Sequence, residues 1–272
     1  KSQGFEVDIV PVDEKGFVDV EALASLIRSD TTLVSVMAVN NEIGSIQPIE
    51  AISELLADKP TISFHVDAVQ ALAKIPTEKY LTNRVDFATF SSHKFHGVRG
   101  VGFVYIKSGK KITPLLTGGG QERDYRSTTE NVAGIAATAK ALRLAMEKLD
   151  IFTSKTGQMK SVIRQALLAY PDIFVFSDEE DFAPHILTFG IKGVRGEVIV
   201  HAFEDYDIFI STTSACSSKA GKPAGTLIAM GVDKDKAQSA VRLSLDLEND
   251  MSQVEQFLTK LKLIYNQTRK VR

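Results

Sequence analysis

Residues 33–39 read Leu-Val-Ser-Val-Met-Ala-Val, and residues 61–66 and 85–90 contain short runs of the same mainly apolar kind. Apolar side chains occupy both alternating sets of positions in residues 33–39, which is typical of a strand that is buried on both faces. Runs with helical spacing occur at residues 20–27, before the first of these strand-like runs, and at residues 49–56, between the first and the second. This alternation predicts an α/β fold whose sheet is mostly parallel and covered by helices on both sides.

Two further strand-like runs, at residues 5–10 and 101–106, extend the predicted sheet, and a long helical pattern covers residues 131–149. We place a domain junction at the end of that helix. Residues 1–149 are then predicted to form most of a large domain, and residues 150–272 a smaller α+β C-terminal domain. In the second domain we predict helices at 161–168 and 196–204 and strands at 173–176, 186–189 and 207–210.

The composition excludes several classes of protein. The chain has 272 residues, of which 44% are hydrophobic and 24% are charged, so it is neither disordered nor fibrous. The net charge of -2 is spread along the chain, which argues against direct nucleic-acid or anionic-membrane binding. No apolar run reaches about 20 residues and no signal peptide is recognisable, so we expect a cytoplasmic protein.

Metal and nucleotide sites are not predicted. The spacing of His65, His96 and His185 is not that of metal ligands, and we interpret all three as structural. Gly118 to Gly120 lack the following Lys-Ser/Thr of a nucleotide-binding loop, which excludes an NTPase of that type.

Polar residues follow three of the predicted strands: an amide at Asn40 or Asn41, the carboxylate of Asp67 and the amine of Lys94. The carboxyl ends of parallel strands are where α/β sheets bind ligands. A lysine there is suited to Schiff-base chemistry, and a carboxylate to holding a protonated ring nitrogen. Each residue also has an ordinary interpretation: Lys94 as a surface lysine, Asp67 as a helix N-cap and the asparagine as a turn former.

Two residues in the C-terminal part also suggest chemistry. Cys216, the only cysteine, lies in residues 211–225, which contain no large apolar side chain and are predicted to form a mobile loop. A lone thiol is usually buried and inert, but this loop favours an exposed, reactive thiolate. Arg242 interrupts a predicted strand, where a half-buried guanidinium needs an anion, either a substrate carboxylate or a structural partner.

Several motifs together give the chain a family resemblance. It resembles the cysteine desulfurases, which belong to the class V aminotransferase group of fold-type I enzymes that depend on pyridoxal phosphate (PLP). The motifs are Asn-Asn-Glu-Ile-Gly at 40–44, His-Val-Asp-Ala-Val-Gln at 65–70, Ser-Ser-His-Lys at 91–94, Gly-Gly-Gly-Gln-Glu-Arg at 118–123, Arg-Ser-Thr-Thr at 126–129, Pro-His-Ile at 184–186, Ser-Ala-Cys-Ser at 214–217 and Val-Arg-Leu-Ser at 241–244. They span nearly the whole chain, and their joint order is more specific than any one of them.

The resemblance implies a role for each matching residue. Lys94 is expected to bind PLP covalently and Asp67 to pair with the pyridinium nitrogen, while Asn41 and Gln70 bind the phenolic oxygen; Asn40 is the alternative to Asn41. Ser91 and His93 are expected to hold the phosphate, and Thr129 to reach the phosphate of a second subunit, which implies a homodimer. Arg242, with Asn41, is expected to bind the substrate carboxylate. The predicted catalytic residues are Lys94, His93 and Cys216.

The implied reaction converts L-cysteine to L-alanine and leaves a persulfide on Cys216, which passes to an acceptor protein for iron-sulfur cluster assembly or tRNA thiolation. A related lyase acting on selenocysteine, and a catalytically silent scaffold for a sulfur acceptor, are the alternatives. The chain begins at Lys1, and the family's phosphate-binding turn and ring-stacking histidine would lie before it. We therefore interpret the chain as an N-terminally truncated fragment and expect it to bind PLP weakly or not at all.

Overall fold

The structure, a computed structural model, describes residues 4–213 and 225–270. The chain divides into two compact units. We name them after the residues predicted to act in each. The lysine unit comprises Asp30–Ala38 and Ile49–Leu149, and the arginine unit comprises Lys1–Ser29, Val39–Pro48 and Asp150–Arg272.

The lysine unit is built on a four-stranded sheet. Its strands are β1 (Leu33–Met37), β2 (Ser63–Asp67), β3 (Phe87–Ser91) and β4 (Gly102–Ile106), in that spatial order. The pairs β1–β2 and β2–β3 are parallel and β3–β4 is antiparallel, so the predicted α/β fold with a mostly parallel sheet is confirmed. Two α-helices belong to this unit, α2 (Ile49–Leu55) and α3 (Val132–Met146).

The burial of strand β1 differs from the prediction that both faces of the sheet are covered. Along β1, Val34 and Val36 are buried, whereas Leu33, Ser35 and Met37 are exposed. Alternate burial is typical of a strand with one covered face, so within the described residues β1 is covered on one face and not on both. Both sets of positions in β1 are mainly apolar, and the sequence pattern therefore could not reveal which set lies in contact with other residues.

The arginine unit contains a second four-stranded sheet. Its strands are β5 (Ile173–Val175), β6 (Ile186–Ile191), β7 (Ser211–Thr212) and β8 (Ala240–Ser244), and the spatial order is β5-β6-β8-β7 with antiparallel pairing throughout. The helices are α1 (Val20–Leu26), α4 (Leu149–Leu168), α5 (Gly196–Glu204), α6 (Gly225–Ala229), α7 (Lys234–Gln238) and α8 (Met251–Lys270). Helices α4, α5 and α8 contribute apolar side chains to a core that also contains Leu187, Phe189 and Val241 of the sheet.

The opposite face of this second sheet is also covered. Every residue of β6 is buried, and Ala240 of β8 packs with Ile43, Leu227 and Met230 in a separate apolar cluster. Successive residues of a strand point to opposite faces, so Arg242 lies on the face of Ala240 rather than on that of Val241. The alternation therefore directs Arg242 toward the side where residues 39–48 pack.

Two predicted strands are not formed where we expected them. Residues 5–10 have no strand, and Phe5 and Ile9 are 65% and 81% exposed. The strand predicted at residues 207–210 is instead the short β7, which pairs with β8. In both segments the local pattern indicated a strand, but a strand also needs a hydrogen-bonding neighbour, which a local pattern does not specify.

No helix within residues 4–213 and 225–270 is both long and apolar enough to cross a membrane.

A lysine lies in the core of the arginine unit. Lys160, in α4, is 3% exposed, and its Nζ donates a hydrogen bond of 3.0 Å to the carbonyl oxygen of Ala183. The pKa of Lys160 is lowered to about 8, chiefly by burial and also by the charge of Arg164, although two nearby carboxylates oppose the shift. Lys160 therefore loses its proton at a lower pH in the folded protein than in the unfolded chain.

This difference predicts how stability depends on pH. Between about pH 8 and the ordinary lysine pKa of 10.5, the unfolded chain binds more protons at Lys160 than the folded protein does, so this residue makes stability rise with pH. Lys160→Met is expected to remove about 2 kcal/mol of that rise between about pH 7 and about pH 9.5. Urea unfolding followed by circular dichroism measures it, with Lys262→Met on exposed helix surface as the control. Equal pH dependence in wild type and Lys160→Met would contradict the prediction.

Candidate functional site

Lys94 lies in a short 3-10 helix, Ser92–Phe95, that directly follows β3. Ser92 and Phe95 are buried at its two ends, whereas His93 is exposed and Lys94 is half-buried. The Ser92 hydroxyl is hydrogen-bonded to the Thr138 hydroxyl of α3, with 2.9 Å between the oxygens. The turn is thus anchored at both ends, and these anchors leave His93 and Lys94 accessible.

Close packing restricts the residues around this turn. The helix ends at His96, whose φ of 65° is in the left-handed region. A Cβ atom on Gly97 would lie 1.8 Å from the Ser92 Oγ, so only glycine lets Ser92 keep its position. The backbone on the C-terminal side of Lys94 is therefore sterically constrained.

Asp67 is the last residue of β2, the parallel neighbour of β3. It pairs in register with Thr89, and the next backbone amide, that of Ala68, donates to the Thr89 carbonyl at 3.0 Å. The Asp67 side chain is exposed, and its Oδ1 accepts a hydrogen bond of 3.0 Å from the Val69 amide. Because β2 and β3 run in the same direction, the carboxylate of Asp67 and the turn that carries Lys94 both lie at the carboxyl edge of the sheet.

The other residues predicted for this edge have less defined surroundings. Ser91 is the last residue of β3, and Gln70 lies in the turn after Asp67; both are half-buried. Thr129 is exposed and lies two residues before Asn131, the N-cap of α3. Asp67, Gln70, Ser91, His93 and Lys94 thus lie at or just after the carboxyl ends of β2 and β3.

A histidine network lies beside Asp67. His65, two residues earlier on the same face of β2, is hydrogen-bonded through Nδ1 to Ser35 Oγ (2.8 Å) and through Nε2 to Thr89 Oγ1 (3.2 Å). Burial lowers the pKa of His65, and the charge of Asp67 opposes that shift. A neutral imidazole satisfies both contacts, in agreement with the structural role predicted for this residue.

Arg242 lies at the centre of a row of residues that crosses the sheet of the arginine unit. It pairs in register with Thr188 of β6 on one side and with Ser211 of β7 on the other. Its Nη1 donates a hydrogen bond of 2.8 Å to the carbonyl oxygen of Asn41. The Thr188 hydroxyl donates to the carbonyl oxygen of Glu42 at 2.5 Å. The carbonyl groups of the adjacent residues Asn41 and Glu42 are thus hydrogen-bonded to Arg242 and Thr188, which are paired neighbours in the sheet.

The two asparagines of this segment differ in their contacts. Asn40 is 6% exposed; its Oδ1 accepts hydrogen bonds from the amides of Glu42 (2.8 Å) and Ile43 (3.0 Å), and its Nδ2 donates to Thr226 Oγ1 (3.3 Å). The carboxamide of Asn40 therefore shapes the turn. Asn41 is half-buried, and its carbonyl oxygen binds Arg242. The contacts of Asn40 favour Asn41 as the ligand-binding amide.

Glu42 was not singled out from the sequence, although it lies inside a quoted motif. Its carboxylate is hydrogen-bonded to the side chain and backbone of Thr226, in α6. Burial raises the pKa of Glu42, and the Thr226 hydrogen bonds and the charge of Arg242 oppose that rise. In the sequence, Glu42 looks like an ordinary acidic residue. Only its tertiary interactions with Thr226 and Arg242 distinguish it.

Cys216 and the other residues of 214–224 lie outside the described residues, so the prediction of a mobile loop stays a prediction. The segment that contains Cys216 follows β7 directly, and Cys216 is four residues after Thr212. Thr212 pairs with Val241, the neighbour of Arg242. The last strand before this segment, β7, therefore lies beside β8, the strand that carries Arg242.

The chain was compared with protein families and with known proteins. Residues 1–257 match the family model described as aminotransferase class V. A protein from Lactobacillus delbrueckii subsp. bulgaricus, called a NifS/IcsS protein homolog, is 50% identical over 269 residues, which cover 98% of this chain and 70% of that protein. A cysteine desulfurase IscS from Clostridium botulinum is 38% identical over 274 residues, which cover all of this chain and 68% of that enzyme.

The fold has a similar counterpart among solved structures. A NifS-like protein superimposes with a TM-score of 0.88 at 38% sequence identity. The match covers 97% of this chain and 69% of that structure. This chain therefore spans roughly seven tenths of the length of each of these three relatives, and the similarity extends across both units.

Proposed function

Because the chain belongs to the class V aminotransferase family and, within it, to the cysteine desulfurases, we propose that it converts L-cysteine to L-alanine with PLP. The sulfur would leave as a persulfide on Cys216 and pass to an acceptor protein for iron-sulfur cluster assembly or tRNA thiolation. The observation that carries the proposal is the placement of Asp67 and Lys94 at the ends of two adjacent parallel strands.

The residues at this edge fit PLP in their chemistry. A carboxylate held by a backbone amide suits a protonated pyridine nitrogen, and a half-buried primary amine suits an aldehyde. We propose that Asp67 keeps the proton on the ring nitrogen and that Lys94 binds the aldehyde carbon. Gln70 and Asn41 would bind the phenolic oxygen, and Ser91 and His93 the phosphate. When bound, PLP supplies an electron sink for negative charge at the substrate Cα.

Arg242 and Lys94 have separate tasks in the proposed reaction. Arg242 binds the α-carboxylate of cysteine through its guanidinium group, and Asn41 adds an amide contact. Lys94 accepts the Cα proton of the substrate and later returns a proton. Since one guanidinium nitrogen of Arg242 is already bound to the Asn41 carbonyl, the position of the charge is set before substrate arrives.

Cys216 is proposed to act as the nucleophile. Its thiolate attacks the substrate sulfur, so that a sulfur–sulfur bond forms and the carbon–sulfur bond breaks. The electron pair of the broken bond stays on the substrate carbon, which takes up a proton to become the methyl group of alanine. We also propose a homodimer, because the family resemblance assigns Thr129 to the phosphate in a second subunit, and the exposure of Thr129 is compatible with that role.

The test uses the protein translated from its complete reading frame, incubated with PLP and L-cysteine. We expect one additional sulfur on the Cys216 peptide by mass spectrometry and formation of L-alanine. Cys216→Ala is expected to abolish both, and Ser252→Ala, on the first turn of α8, is the control. Alanine formation that survives in Cys216→Ala would favour a related lyase, and its absence in wild type would favour the scaffold alternative.

A further inference from the structure

Glu42 and Arg242 form a pair of opposite charges within the arginine unit. Burial raises the pKa of Glu42, and the hydrogen bonds with Thr226 and the charge of Arg242 act in the opposite direction; the carbonyl of Asn41, the residue before Glu42, is bound by Arg242 Nη1 at 2.8 Å. Within the described residues, the buried oxygen Oε2 of Glu42 has no hydrogen-bond partner. The carboxylate is thus held near the arginine proposed to bind substrate, and one of its oxygens has no assigned role.

The spacing of this pair does not depend on the Glu42 side chain. The Thr188 hydroxyl binds the carbonyl oxygen of Glu42, and Asn40 Oδ1 accepts from its amide. The neighbouring carbonyl, that of Asn41, binds Arg242. These three backbone contacts keep residue 42 beside Arg242, so a change of the carboxylate to an amide alters charge without removing the anchor.

The charges of Arg242 and Glu42 together favour a ligand that carries both a negative and a positive group. A simple carboxylate is attracted by Arg242 but repelled by the carboxylate of Glu42. A zwitterion carries an ammonium group next to its carboxylate, and its two charges complement both members of the pair. Because these interactions occur at a partly buried site, water screens them less than it would at the surface.

We propose that Glu42 is a specificity-determining residue: beside Arg242, its negative charge makes the site prefer amino-acid zwitterions over carboxylates that lack an ammonium group. The inference rests on the proposed role of Arg242 as the substrate-carboxylate residue. It assigns to Glu42 the rejection of thiol-containing carboxylic acids, which carry the same sulfur and carboxylate as cysteine but lack the amine.

The experiment compares L-alanine with propionate, which differ only in the α-ammonium group. Binding of each to the protein is measured by NMR titration at about pH 8, well above the ordinary carboxyl pKa. In Glu42→Gln we expect propionate to bind about threefold more tightly and alanine about threefold more weakly. The ratio of the two affinities then changes by roughly tenfold. Thr226→Val is the matched variant, because it removes a hydrogen bond to Glu42 but keeps both charges.

The outcomes separate this inference from the proposed function. If Glu42→Gln changes both affinities by the same factor, or if Thr226→Val shifts their ratio equally, Glu42 has only a structural role and the inference is overturned. Arg242→Gln should weaken both ligands. If it leaves both affinities unchanged, the role of Arg242 fails; if it weakens both while Glu42→Gln keeps the wild-type ratio, only the charge-selection inference fails.

Discussion

Replacing Lys94 with alanine is expected to lower the rate of alanine formation from L-cysteine by at least about a thousandfold. Proton transfer by a positioned side chain contributes roughly 10²- to 10⁴-fold on its own, and Lys94 is also the proposed attachment point for PLP. No other primary amine is placed on the 3-10 helix that follows β3. Release of alanine from a fixed amount of L-cysteine measures the effect directly.

The fold should survive this substitution, so the loss is attributable to chemistry. The buried anchors of the turn are Ser92 and Phe95, and Lys94 itself is only half-buried. Thermal unfolding of Lys94→Ala is therefore expected to match that of wild type. Lys140→Ala, on an exposed position of α3, is the matched control and should keep full activity. More than about a tenth of wild-type activity in Lys94→Ala would contradict the assigned role.

The largest effect on stability is expected at Asp86. This carboxylate is 1% exposed, and its Oδ2 accepts hydrogen bonds from the Phe64 amide (2.9 Å) and from Arg84 Nη1 (2.7 Å), with Lys110 Nζ 3.2 Å away. Arg84 is mostly buried as well, and it also donates to three backbone carbonyls. Removing one charge of such a pair leaves the other uncompensated in the interior.

Asp86→Asn is therefore expected to lower the free energy of unfolding by about 3 kcal/mol. Because the chain contains no tryptophan, urea unfolding is followed by far-UV circular dichroism. Asp58→Asn is the matched control, because Asp58 pairs with Lys59 at an 80% exposed position, and it should leave the unfolding midpoint unchanged. A similar, small effect of both substitutions would show that the buried pair contributes nothing special.

The same carboxylate predicts a dependence on acid. Burial acts to raise the pKa of Asp86, but the hydrogen bonds from Phe64, Arg84 and Lys110 outweigh it, and the pKa is lowered from 3.8. The pKa of Asp86 is lower in the folded protein than in the unfolded chain. The contribution of Asp86 to stability is therefore fully present above the unfolded pKa and is lost as the pH falls through the folded pKa. The stability difference between wild type and Asp86→Asn should thus shrink on acidification below about pH 4.

The sequence alone was sufficient for the strands β1, β2 and β3 and for the polar residues at or just after the ends of β2 and β3. The apolar runs of β1, β2 and β3 are local patterns. Asp67 ends β2 and Lys94 lies three residues after the end of β3, so the position of each near the sheet edge could be predicted. Family membership was also readable, because several short motifs occur in one order. The strand patterns depend on neighbours within about ten residues, whereas the family resemblance depends on the order of short motifs along the chain.

Only the tertiary structure decided which segments meet. It left residues 5–10 without a strand partner, exposed one face of β1, and moved the strand expected at 207–210 to Ser211–Thr212. It also brought Glu42 to Thr188 and Asn41 to Arg242 across 146 and 201 residues of sequence. Side-chain periodicity records whether a residue faces a core, but it does not record the identity of a distant partner. A hydrogen bond between remote segments depends on how the sheets and helices pack, and for this reason Glu42 became visible only in the folded chain.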